Sequence, residues 1–446
     1  MFIEFLMETF EQNSDKEAIV WNDQVYHYGW FLARVRYWQK QLADKDIKPG
    51  IVAVLEADFS PNSMALFLVL VDFSCILVPL TSSVEARKND FIRIAQGQIS
   101  IVVDANDEVQ VESLPYSGEH EYFDHLRKLN HPGLVLFSSG STGESKASVN
   151  DFFDLLEKFK TPKRSMRTIS FLLFDHIGGV NTMLYTLSNA GCIVALTGRT
   201  PDIVLSAVEN YQVQLLPTSP TFLNLFILSE AYKRHNLESL ETITYGTEPM
   251  PQSTLTRLHN LFPNIRFQQT YGLSEVGILR SKSKSSGSLW VKVGGEGFET
   301  RVIEGILHIK ARSAMLGYLN APSPFTEDGW FNTQDSVEVD GQFLKILGRK
   351  SEIINVGGEK VYPTEVESVV HELENVMEAT AYGRKNAITG NVVAVKVRLI
   401  KDEDPKQFSL RLKKYCRGRM ESFKVPVKVE IVHENQFSQR FKKKRI

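Results

Sequence analysis

The sequence predicts a two-domain α/β protein, on three observations. Short, strongly apolar runs recur between longer amphipathic stretches, the pattern of buried strands alternating with covering helices. Over residues 287–347 the texture changes to short alternating segments with frequent Gly and Asp, as antiparallel strands produce. After Gly348-Arg349 a third pattern begins and fills about a hundred residues, a common size for a domain.

Each element follows from its residues. Strands are predicted at Ile51-Val52-Ala53-Val54-Leu55, Cys75-Ile76-Leu77-Val78, Ile101-Val102-Val103, Leu134-Val135-Leu136-Phe137 and Cys192-Ile193-Val194-Ala195-Leu196. The most apolar stretch, 64–80, carries Asp72 in its middle and ends in a Pro and a Thr-Ser-Ser turn. It reads as a buried helix followed by a buried strand, not as a membrane span. Gly305-Ile306-Leu307-His308-Ile309 and Gln342-Phe343-Leu344-Lys345-Ile346 read as antiparallel strands closing a large domain. The boundary is expected at 348–352, giving units over 1–348 and 349–446. The second unit is α+β, with a hairpin around Gly357-Gly358, a helix from about Thr364, strands near 392–400 and a helix near 407–420.

Composition narrows the function classes. With 43% hydrophobic and 23% charged residues, 28 Gly and 17 Pro, the chain is neither disordered nor fibrous. The net charge of -2 is uneven: residues 411–446 hold twelve Lys/Arg against three Glu, +9, which leaves -11 for the rest. Such a tail suits phosphates, acidic lipid or nucleic acid, or is simply a solvated face. The molecule as a whole is expected to bind no nucleic acid and to contain no integral membrane segment. Cys75, Cys192 and Cys416 lie far apart without CxxC spacing, which argues against a metal site or disulfide framework and fits a reducing compartment. The N-terminus carries Glu4 and Glu8 where a secretory leader needs cations, so a cytoplasmic location is expected.

The most informative segment is Leu134-Val135-Leu136-Phe137-Ser138-Ser139-Gly140-Ser141-Thr142-Gly143-Glu144-Ser145-Lys146. A buried strand running into a loop of glycines and hydroxyls ended by a lysine offers backbone N–H groups, hydroxyls and a cation to a polyphosphate. It is not a Walker A loop, because GxxxxGK[ST] is absent. The order of residues resembles the (T/S)SGSTGxPK signature of the adenylate-forming superfamily, which comprises acyl- and aryl-CoA synthetases, adenylation domains of peptide synthetases, and luciferases.

Further resemblances follow in that family's order. Gly246-Thr247-Glu248-Pro249 is similar to its adenine-side GxAP/GxEP motif, Thr270-Tyr271-Gly272-Leu273-Ser274-Glu275 to YGxTE, and Gly329-Trp330-Phe331-Asn332-Thr333-Gln334-Asp335 to GWxxTGD. Gly348-Arg349 resembles the family hinge. The run from Gly357-Gly358-Glu359-Lys360-Val361-Tyr362-Pro363 through Glu367 resembles GGxxVxPxEVE. Tyr26-His27-Tyr28 and Val78-Pro79-Leu80 extend the likeness over the N-terminal third.

The resemblance implies ATP, Mg²⁺ and coenzyme A as cofactors, a carboxylic acid as substrate, and a small mobile C-terminal domain. Ser138, Ser139, Gly140, Ser141, Thr142, Gly143 and Lys146 would hold the β- and γ-phosphates, with Thr142 donating to phosphate oxygen. Glu275 would bind the metal, since Mg²⁺ takes one or two carboxylates plus phosphates and water. Tyr271 would stack on adenine, while Gly246 and Gly272 allow close backbone approach. Thr247, Glu248, Pro249 and Thr270 complete the adenine side. Asp335 would accept from the ribose hydroxyls, with Arg349 as second partner.

The family's catalytic lysine lies in a GKxxR pattern near the C-terminus. Here Phe441-Lys442-Lys443-Lys444-Arg445 selects Lys442, with Lys443 as the fallback because Phe441 replaces the usual Gly. His176, in Asp175-His176-Ile177-Gly178-Gly179, would line the acyl side near the carboxylate, and other walls would come from 219–224 and Tyr245. Phe174-Asp175 is also similar to the peptide-synthetase segment whose Asp binds an amino-acid ammonium. Gly357 and Gly358 would form a pantetheine tunnel after the small domain rotates. Departures from the family pattern are Ala147, Gln334, Ser351 and Phe441. The implied acceptor is coenzyme A, and the alternative is a phosphopantetheinyl carrier protein. A degenerate nucleotide-binding protein is the third possibility.

Overall fold

The computed structural model describes residues 2–45, 47–139, 145–438 and 441–444. These form three seven-stranded sheets and one five-stranded sheet with helices between them. The first sheet runs in the order Arg266–Gln269, Thr242–Tyr245, Leu215–Thr218, Arg167–Ile169, Cys192–Val194, Glu17–Trp21, Gln24–His27. All its pairings are parallel except the terminal hairpin. The second runs Gly317–Tyr318, Ser145–Asp151, Gly133–Ser139, Ile76–Leu80, Val52–Glu56, Ile99–Val103, Val109–Ser113, parallel in its centre and antiparallel at both edges.

The stretch 64–80 resolves as expected into helix Pro61–Asp72 and strand Ile76–Leu80. Ser60 and Ser63 cap the helix reciprocally and Pro61 supplies a first-turn residue that needs no N–H partner. Asp72, the charge that interrupts the apolar run, accepts from the Phe2 amide at 3.0 Å and from Gln39 at 3.1 Å. Strand Ile76–Leu80 is buried along its length, as a central parallel strand requires. Its ladder to Gly133–Ser139 covers only Ile76 and Leu77, which leaves Pro79 clear of a bond it could not donate.

The third sheet is antiparallel, in the order Tyr271–Leu273, Gly277–Ser283, Trp290–Gly294, Phe343–Arg349, Phe331–Asp340, Ile306–Ala311, Phe298–Ile303. The fourth joins Glu359–Val361, Ile354–Val356, Gly390–Leu399 and Val376–Asn386, with Lys428–Ile431 added in parallel. Helices Pro363–His371 and Pro405–Arg417 cover it, and its core of Val361, Val366, Val395, Phe408, Leu412 and Cys416 is separate from the others. The long strand Val376–Asn386 and the short Lys428–Ile431 are additions to the sequence prediction. The three cysteines are buried and free, and burial pushes the Cys75 and Cys192 thiols up to about 12. Among the described residues, no helix is long and apolar enough to cross a membrane.

The C-terminal unit docks through specific bonds. Asn224 Nδ2 donates to the Met377 carbonyl at 3.0 Å, and Ser253 exchanges bonds with Ser368 through its amide at 3.1 Å and its hydroxyl at 2.8 Å.

Candidate active site

In an open α/β fold a ligand usually sits beyond the C-terminal ends of the parallel strands. Gly140, Ser141, Thr142 and Gly143 lie outside the described residues. The legs of their loop are described: Ser138 pairs with Lys146 and Ser139 with Ser145 across two antiparallel strands. Arg87 donates to the Ser145 hydroxyl at 3.0 Å. Asn320 brackets the second leg, donating to the Ser145 carbonyl at 2.9 Å and accepting from the Ala147 amide at 3.0 Å. Ala147 is fully buried there.

Lys146 holds its ammonium 5.3 Å from the centre of the Tyr318 ring, and the Tyr318 hydroxyl donates to Glu275 Oε1 at 2.6 Å. One aromatic thus joins the loop lysine to the carboxylate expected to bind metal. Burial, and then the Glu275 charge, raise the Tyr318 phenol. Sequence reasoning missed both Tyr318 and Asn320. The strand that carries Tyr318, Gly317–Tyr318, is two residues long, too short for any periodicity, and Asn320 follows just beyond it.

Asp335 lies opposite Arg349 in the third sheet, with Arg349 Nε 3.8 Å from Oδ1, and its Oδ2 accepts from the Tyr271 hydroxyl at 2.6 Å. Burial raises the Asp335 carboxyl above its ordinary value, against the lowering by the Tyr271 bond, Arg349 and Lys442. Gln334, where the family has Gly, adopts a φ of 61°, and Thr333 steadies the turn by accepting from the Asp335 amide at 3.0 Å. Tyr271 is therefore tied by its hydroxyl as well as offering a ring.

The two motif glycines have a partner of their own. A Cβ on Gly246 would stand 2.6 Å from Thr270 Oγ1, and one on Gly272 2.4 Å from Ile278 Cδ1. The close approach they permit is therefore to neighbouring protein atoms. Thr270 donates to the Tyr245 carbonyl at 3.1 Å, and Thr247 turns the chain with a φ of 71°.

Glu248 departs from the expectation of an adenine-side group. Its Oε1 accepts from the Thr221 amide at 2.8 Å and from the Thr221 hydroxyl, while Oε2 accepts from the Lys443 amide at 3.0 Å. The carboxylate links a helix start to the C-terminal tail, and Pro249 follows beside the same tail.

His176 caps helix Ile177–Ser188, its Nδ1 accepting from the Gly178 amide at 3.0 Å. A neutral ring so engaged carries its proton on Nε2. Gly179 is fixed by packing, since a Cβ there would stand 2.0 Å from the Leu173 carbonyl oxygen. Asp175 is buried and its Oδ2 accepts from Thr81 at 2.9 Å, so that oxygen serves the fold. Gly357 and Gly358 turn an exposed hairpin with φ of 60° and 96° and bond to Thr389 and Asn355 of their own unit. The structure does not bring them to Asp335.

The tail lysines separate by environment. The charges acting on Lys442 are Arg349, Glu248, Glu352 and Asp335, and burial followed by Arg349 lowers its pKa. Lys443 instead sends its ammonium to Glu367 Oε2 and the Ala379 carbonyl, each at 2.8 Å. Phe441 packs among Phe171, Phe222 and Phe437 at a φ of 49°, and its carbonyl accepts from Ser219 at 2.7 Å.

The fold and this cluster define a nucleotide-handling protein of two units. Residues 6–289 match the model of the AMP-binding enzyme family and residues 365–442 that of the AMP-binding enzyme C-terminal domain. The chain belongs to the AMP-binding, adenylate-forming enzyme family. It is 27% identical over 334 residues to an indoleacetate–CoA ligase of Aromatoleum aromaticum, covering 68% of this chain and 64% of that one, so the match spans less than two thirds of that relative. A 3,4-dihydroxybenzoate–[aryl-carrier protein] ligase of Bacillus anthracis is 25% identical over 71% of this chain and 74% of its own. Among solved structures, an anthranilate CoA ligase in complex with anthranoyl-AMP superposes with a TM-score of 0.82 at 16% identity, covering 99% of this chain and 95% of that one, a likeness of fold.

Proposed function

We propose that this chain activates a carboxylic acid as its acyl-adenylate and transfers the acyl group to the thiol of coenzyme A. The observation that carries the reading is the joining of Asp335 to Arg349 and to Tyr271, with Arg349 and Asp335, beside Glu248 and Glu352, among the charges that act on the tail lysine Lys442. In the first half-reaction a carboxylate oxygen attacks the α-phosphorus of ATP, the bond to the bridging oxygen breaks, and pyrophosphate leaves with the electron pair. Lys442, entering from the other unit, spans the carboxylate and α-phosphate as charge develops. Asp335 and Arg349 hold the ribose, the loop 138–146 holds the outer phosphates, and Tyr271 supports adenine.

Among the described residues no cluster of three His, Cys, Asp or Glu is poised for a metal. A single carboxylate with substrate oxygens and water would suit Mg²⁺. Glu275 would hold it, and the ion would neutralise charge on the phosphates. In the second half-reaction the thiol sulfur attacks the acyl carbon, the bond to AMP breaks, and the thiol proton goes to solvent. We place the hinge at 348–352, so that unit 349–446 rotates, withdraws Lys442 and brings Gly357 and Gly358 forward around pantetheine. The basic residues of 411–446 then meet the coenzyme phosphates.

The carrier-protein reading is supported by the aryl-carrier ligase among the relatives. One experiment separates the two: pyrophosphate release with ATP, Mg²⁺ and a panel of fatty, aryl and amino acids, with and without coenzyme A, in the wild type and Lys442→Ala. Acid-dependent release that Lys442→Ala abolishes, with acyl-CoA formed, is the expected result. Release without acyl-CoA would assign the acceptor to a carrier, and silence with every acid would sink the adenylation reading.

A further inference from the structure

Lys442 and Lys443 are adjacent in a segment that pairs like a strand: Phe437 bridges Lys443, and the Lys444 amide donates to the Gln436 carbonyl at 2.8 Å. Successive side chains in such a segment point to opposite faces. Whatever holds Lys443 down therefore decides where Lys442 goes.

Two independent contacts hold it. The Lys443 ammonium is sequestered on Glu367, whose side chain is 1% exposed and whose other oxygen accepts from the Ala381 amide at 3.0 Å. This ties the tail to helix Pro363–His371 and strand Val376–Asn386 of its own unit. The Lys443 backbone N–H donates across the boundary to Glu248 at 3.0 Å, beside the Ser219 bond to the Phe441 carbonyl. The first contact moves with the C-terminal unit, while the second exists only when the units are docked as here.

We infer that Lys443 is a positioning residue for adenylation: its ion pair with Glu367 makes the tail a rigid arm, and Glu248 receives that arm so that Lys442 enters the nucleotide cluster. The inference rests on the proposed adenylation reading. It predicts a split between half-reactions, because the thiol step needs the arm withdrawn. A misplacement of about 1 Å costs on the order of 10²-fold in rate.

The test measures both half-reactions in Lys443→Met, Lys443→Arg and the double variant Lys443→Met/Glu367→Gln, which leaves no unpaired buried charge. Pyrophosphate release is followed with an acid the wild type uses, and acyl-CoA formation with the ready-made adenylate of that acid. Lys443→Met is expected to lower kcat of the first step by about 10²-fold and the second by less than about twofold, with Lys443→Arg recovering most of the loss. The double variant should unfold at the wild-type temperature while keeping the first-step defect. Equal slowing of both steps, or wild-type adenylation in Lys443→Met, would overturn the inference. A wild type inactive with every acid would remove the functional reading and this inference with it.

Discussion

Asp335 and Lys442 act on one another electrostatically, yet their positions come from different kinds of construction. Asp335 is held within a single antiparallel sheet: its partner strand supplies Arg349, the edge strand Tyr271–Leu273 supplies Tyr271 through its hydroxyl, and a hydroxyl fixes the turn before it. Lys442 rides on a tail secured by Glu367 from one unit and by Glu248 and Ser219 from the other. Under the proposed two-step reaction a nucleotide would need the same cradle in both half-reactions, whereas the lysine would be wanted in only one. Contacts within one sheet would serve the first requirement and a dockable arm the second.

The sharpest break of that contrast is Lys442→Met. It should lower adenylation by roughly 10² to 10³-fold, the loss of one preorganised donor at developing charge, and leave the thiol step near wild type. With its pKa lowered, Lys442 should also lose its proton on the alkaline side before an ordinary lysine, so adenylation should decline below pH 10.5 in a pH–kcat profile. Asp335→Asn tests the other half. Removing a charged acceptor worth about 1.5 to 3 kcal/mol should weaken both half-reactions by one to two orders of magnitude through the nucleotide, measured as kcat/KM for ATP and for the adenylate.

A smaller effect reports on the docked arm. Burial first, then Lys443 and Arg257 against Glu367, depress the His371 pKa to about 3 from 6.5. The unfolded chain therefore binds the extra proton between those values, so this contribution is complete above pH 6.5 and fades as pH falls. Linkage puts the loss at about 2 kcal/mol by pH 5. Denaturant unfolding at pH 7.5 and pH 5 should show it in the wild type and show less in His371→Leu. Smallest is Gln334→Gly, which relieves a left-handed backbone at the cost of unfolded-state entropy and should shift stability by under about 1 kcal/mol, read by thermal unfolding.

The strands around 51–55, 75–78, 101–103 and 134–137 were legible because both faces are buried and their runs are continuously apolar. Val376–Asn386 was not, because Glu378, Arg384 and Lys385 break its pattern, and Glu378 accepts from Arg398 and from the distant Gln436 amide. The residues of the proposed cradle stood out as motifs. Its cross-links did not, since Tyr318 reaches Glu275 across 43 residues and Glu248 reaches Lys443 across 195. Those bonds depend on tertiary approach, to which local periodicity is blind. The left-handed turns at Gln334 and Phe441 were visible only as glycines missing from the family pattern.

Strand Glu17–Trp21 has its parallel neighbour in Cys192–Val194, so the first sheet cannot close around it until that later segment has emerged. At synthesis rates of about 5 to 20 residues per second the interval is roughly ten to thirty seconds. Throughout it, Ala18, Ile19 and Val20, which are buried in the finished protein, lack their parallel strand neighbour; they have their hairpin mate, and Ala18 and Ile19 also have the first two helices to pack against. That edge therefore waits for its partner throughout synthesis, an interval that the stability of the completed fold does not shorten.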